Sequence, residues 1–135
     1  MKIIKANSNT NYPAFDVAEV ETLGLKDMQD MVGGLIECLH MGYGVDCWLN
    51  DEGKLLGLSP NFFLVNSGSI IDVVCGDVFF ASSNEEGETI GLTDEQVDWL
   101  LGILSERVAP VLIDDEVAFI PCVEFPPTEP AQVGV

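Results

Sequence analysis

Residues 30–61 read DMVGGLIECLHMGYGVDCWLNDEGKLLGLSPN, with glycines, asparagines and acids interrupting the apolar residues every few positions. A chain punctuated this often builds short elements joined by tight turns. The run 35–41 alternates as a strand, with Leu35, Glu37, Leu39 and Met41 on one face and Ile36, Cys38 and His40 on the other. Residues 42–44 form a tight connection to a second strand over 45–49. Asn50-Asp51-Glu52-Gly53 has the form of a hairpin loop with Gly53 at positive φ, and 54–58 is expected to return as its partner strand. Ser59-Pro60 reads as an N-cap and a first helical residue, so a short helix is expected over 61–65.

The flanking segments continue the pattern. Residues 2–6 and 15–20 read as strands joined across the polar loop 7–13. Leu25, Met28 and Val32 mark one face of a short helix, and Gly33 suits its left-handed C-terminal position. Residues 70–74 and 77–81 are apolar enough for central or well-covered strands. Thr93-Asp94-Glu95-Gln96 fits a capping box, followed by a stripe of Val97, Leu100, Leu101, Leu104 and Val108, with Pro110 closing the helix. Residues 111–113 and 117–125 read as strands, and 126–135 as a mobile tail. The sum is an α+β fold: a mostly antiparallel sheet of about six or seven short strands with two or three helices. We expect one domain over 1–109, an extension over 110–125 packing on it, and the tail.

Charge restricts function more than pattern does. Five Lys+Arg stand against 23 Asp+Glu, a net charge of −18, spread along a chain that is 47% hydrophobic. Such a surface repels nucleic acid and anionic membrane, and attracts basic proteins. It also keeps an apolar chain soluble. No apolar run approaches the ~18 residues of a membrane span, and the N-terminus has no apolar stretch of signal-peptide length. The expected setting is the cytoplasm of a host cell.

No catalytic constellation is legible: phosphate-loop, H-E-x-x-H and G-x-S-x-G motifs are all missing. Cys38, Cys47, Cys75 and Cys122 lack C-x-x-C spacing and are expected to be reduced thiols. Cys38 and His40 share a strand face, but zinc takes about four ligands and this is the chain's one histidine, so neither metal nor cofactor is expected.

Several spaced motifs carry a family resemblance. Gln29 with Val32-Gly33-Gly34 and Ile36-Glu37, then Asn50-Asp51-Glu52-Gly53-Lys54 with Leu58 and Asn61, then Asp72, Gly76-Asp77-Val78 and Leu92-Thr93-Asp94-Glu95-Gln96, resemble in order the signatures of domain of unknown function 3846. The match runs from about residue 2 to about residue 108. Phe62 stands where that family commonly carries a basic residue after the asparagine. The resemblance implies a phage- or plasmid-borne protein and brings no established activity.

The expectation is a non-enzymatic protein that binds and inhibits a basic, nucleic-acid-handling host protein without touching nucleic acid or membrane itself. Its contact residues are Glu85, Glu86, Glu88, Asp94, Glu95 and Asp98. The alternative is capture of a small nucleotide-like ligand by Gln29, Asn50, Lys54 and Asn61. Trp99 and Ile103, flanking the stripe of the last helix, suit a homodimer face.

Overall fold

Ten strands and two helices form two sheets in the computed structural model, which describes residues 1–8 and 14–130. The expected loop residues 9–13 and tail residues 131–135 lie outside the described residues. The strands are β1 (Lys2–Asn7), β2 (Ala14–Glu19), β3 (Ile36–Gly42), β4 (Val45–Asn50), β5 (Pro60–Asn66), β6 (Ser69–Cys75), β7 (Val78–Ser83), β8 (Thr89–Ile90), β9 (Val108–Ile113) and β10 (Glu116–Glu124). The helices are α1 (Leu25–Val32) and α2 (Asp94–Ser105). The larger sheet runs β2-β1-β7-β4-β3, with β8 also paired to β7; the smaller runs β6-β5-β10-β9. All pairings are antiparallel except β5 with β10. The α+β class holds, with ten strands where six or seven were expected.

The larger sheet is covered on both faces. Ile3, Phe79 and Ala81 pack under Met28 and Val32 of α1. On the opposite face Ile4, Cys47 and Phe80 meet Phe62, Leu64 and Val123 of the smaller sheet, and Leu100 and Leu104 of α2. Burial on both sides explains the unbroken apolar run of β7, as expected of a central strand. The other run assigned to this class, β6, is instead an edge strand, with Ile70 and Ile71 more than half exposed.

Local signals predict both helices. Gly33 closes α1 at φ 77, and Thr93 and Gln96 exchange the two bonds of a capping box at the start of α2. Three details differ: Leu25 is exposed, α2 ends at Ser105, and Val108 and Pro110 belong to β9. Among the described residues no helix is long and apolar enough to cross a membrane.

Residues 51–65 depart most from expectation. Residues 51–57 form consecutive turns rather than a hairpin with 54–58, closed by hydrogen bonds from the Leu56 amide to the Glu52 carbonyl and from the Leu58 amide to the Gly53 carbonyl. Gly53 is not a positive-φ residue. It is needed for close approach, since a Cβ there would lie 2.7 Å from the Cys75 carbonyl oxygen. Ser59 and Pro60 do not start a helix: 60–66 is β5. Asn-Phe-Phe-Leu-Val is aromatic and branched, and pairing on both sides outweighs the local cap signal. Asn61 is the extra residue at an irregularity of the β5–β6 ladder, which lets both it and Phe62 be buried.

Candidate functional site

The acids expected to contact a partner occupy two neighbouring stretches of chain joined by β8. Glu85, Glu86 and Glu88 lie in the β7–β8 loop, all exposed. Asn84 folds that loop: its Oδ1 accepts the amides of Glu86 at 3.0 Å and Glu88 at 2.9 Å. Asp94 and Glu95 occupy the first turn of α2, where the helix dipole favours them, and Asp98 follows one turn on. Lys2 bonds Asp94, and Asp94, Glu19 and Asp98 together raise its pKa. That lysine bond holds the Asp94 carboxyl below its ordinary value.

Gln29, Asn50, Lys54 and Asn61 do not converge. Asn61 is buried, and its amide nitrogen donates to the carbonyls of Ala6 at 3.0 Å and Gly76 at 2.9 Å, tying β5 to β1 and to the β6–β7 turn. Asn50 is also buried; it donates to the Val32 carbonyl at 3.1 Å and accepts the Glu52 amide at 2.8 Å. Gln29 lies on α1, and its backbone carbonyl accepts the amides of Gly33 and Gly34. Lys54 bonds Asp72. Asn50 and Lys54 do line one cleft of about 310 Å³, but Glu37, Asp51 and Asp72 share it. One ammonium against three carboxylates is the reverse of what a phosphate needs.

The dimer face proposed from sequence carries contacts within the chain. Trp99 packs against Tyr43, and its Nε1 donates to the Thr128 carbonyl at 3.0 Å. Ile103 is half-buried against the core. Glu129 accepts the Tyr43 amide, so residues from the expected tail lie over this part of the molecule.

One cluster was only half visible in the sequence. His40 Nδ1 lies 2.6 Å from Asp46 Oδ1 and 4.0 Å from Cys38 Sγ. Cys38 and His40 share a face of β3, as alternation predicts. Asp46 joins them because the β3–β4 ladder shifts by one residue between His40 and Gly42, setting His40 opposite Asp46. Of the 23 acidic residues, Asp46 alone is buried. The trio does not have the order of a nucleophilic triad, which puts carboxylate and thiol on opposite ring nitrogens. Here both face Nδ1. Burial first, and the Asp46 charge second, push the Cys38 thiol up to about 11, away from an activated nucleophile.

The profile of the family described as Domain of unknown function (DUF3846) matches residues 1–105. The chain belongs to this family. The family segment ends with α2, so it includes the whole larger sheet, both helices and the β5–β6 hairpin; β9 and β10 follow it. Both acidic stretches and the Cys38-His40-Asp46 cluster fall inside the family segment. No curated protein and no solved structure matches the chain.

Proposed function

We propose that this chain is a non-enzymatic protein of a phage or other mobile element that binds a basic, nucleic-acid-handling host protein in the cytoplasm and blocks it. The observation that carries the reading is where the charge sits. Every acid except Asp46 is exposed, and Lys2, Lys26 and Lys54, three of the five cations, are already paired with Asp94, Asp30 and Asp72. The surplus negative charge therefore faces solvent with little internal compensation. Such a surface offers a basic channel the charge it is built to hold, and long-range attraction speeds the encounter. Glu85, Glu86, Glu88, Asp94, Glu95 and Asp98 form the proposed contact. The loop part of it is pre-shaped by Asn84, which lowers the ordering cost of binding.

The test is retention of host proteins on the immobilised chain, with competition by duplex DNA. The expected result is a basic nucleic-acid-binding protein held at low salt, released at high salt and displaced by DNA. The joint substitution Glu85→Lys, Glu86→Lys and Glu88→Lys is expected to reduce retention and restore that protein's activity in the presence of the chain. Retention indifferent to salt, DNA and charge reversal would sink the proposal, as would retention of no such protein.

A further inference from the structure

We infer that Cys38, His40 and Asp46 form a binding site for a divalent transition metal of the zinc class. The inference is independent of the acidic-surface reading. Three chemically different ligands present one donor atom each, and these atoms all lie within 4.8 Å of one another. Thiolate, imidazole and carboxylate together suit zinc and its neighbours, whereas magnesium and calcium take oxygen sets.

The geometry is close to what the ion requires. Tetrahedral zinc bonds of about 2.0–2.3 Å place nitrogen and sulfur ligands roughly 3.6 Å apart, and nitrogen and oxygen ligands roughly 3.3 Å apart. The corresponding separations here are 4.0 and 2.6 Å. Small rotations of His40, whose side chain is 81% exposed, close the difference. Both neighbours face the same ring nitrogen, as they must to share one ion with it.

The surroundings support the assignment. Asp46 is a buried carboxylate in a chain whose other acids are all exposed. Beside it in the sheet stands Ala81, and beside Cys38 stands Trp48, so the inner wall is apolar. The outer side is the edge strand β3, which leaves a fourth position open to water or a ligand from outside. The ligands lie on adjacent strands of one tight hairpin, which turns through Tyr43 and Gly44, both at positive φ. A site on paired strands is held more rigidly than one on loops.

Cobalt titration of the reduced full chain tests this. Bound Co²⁺ is expected to show a thiolate-to-cobalt charge-transfer band saturating at one equivalent. Zinc should erase that band, and excess magnesium should leave it intact. Cys38→Ser should abolish it, while Cys122→Ser should not. His40→Ala changes an exposed side chain and is expected to fold, as circular dichroism would report. It should weaken binding by at least the 10–100-fold, roughly, that loss of a mere outer partner costs. Absence of the band, its survival in Cys38→Ser, or its loss to magnesium would overturn the assignment, the last by marking general attraction to the acidic surface.

Discussion

At the scale of single residues, two of the four polar side chains read as a ligand set, Asn50 and Asn61, hold the backbone together. Asn61 is the clearest case, since it links the two sheets through the Ala6 and Gly76 carbonyls from a buried position. Removing a donor inside a protein leaves its acceptors desolvated, at about 1–3 kcal/mol each. Asn61→Ala is therefore expected to destabilise the fold by about 3 kcal/mol, and urea denaturation would read this directly. A ligand-binding asparagine would instead leave stability nearly unchanged. The Lys2–Asp94 pair makes a second prediction, through its sign. The bond to Lys2 lowers the Asp94 pKa from 3.8, so the pair's contribution is present above that pH and is lost as pH falls through the lowered value. Asp94 is exposed and Lys2 only half-buried, so the effect on stability is small. In Lys2→Ala, an NMR titration should show the Asp94 carboxyl moving back up toward its ordinary value.

At the scale of elements, the smaller sheet depends on a strand beyond the family segment. β10 pairs with β5 on one side and β9 on the other, and it buries Ala118, Ile120, Pro121 and Val123. Burying each large apolar side chain is worth about 1.5–3 kcal/mol, while a whole domain is stable by only about 5–15 kcal/mol. A chain cut after Ser105 would lose most of that margin and open the β5 edge to other chains. It is expected to bind hydrophobic dye and to sediment as larger species than the full chain does at the same concentration. The elements also show what a sequence can reveal. α2 and the end of α1 were legible because a cap and a left-handed glycine act within four residues of the helix they bound. β5 is not legible locally because Ser59-Pro60 imitates a helix start, while the partners that make it a strand are residues 69–75 and 122–124. The role of Gly53 is hidden for a related reason: the atom that demands glycine there belongs to Cys75. The same limit governs the metal cluster. Cys38 and His40 were visible as one face of a strand, but Asp46 enters through a one-residue shift in the ladder that no local pattern announces.

At the scale of the whole molecule, the charge acts on stability and on association with opposite dependence on salt. A net −18 spread over a folded surface stores mutual repulsion that unfolding relieves. The three surface lysine–carboxylate pairs offset little of it, because such pairs are individually weak. Raising salt from about 0.01 M to about 1 M shortens the screening length from about 30 Å to about 3 Å. Repulsion between acids spread over the surface is suppressed across that range, so the thermal midpoint should rise. A midpoint that falls with salt would mean that the few attractive pairs outweigh the repulsion. Capture of a basic partner draws on the same field, and so should weaken over the same range. Stability rising while binding falls is the signature expected if the surplus charge is kept for a partner. A chain that carried it for solubility alone would show the first trend without the second.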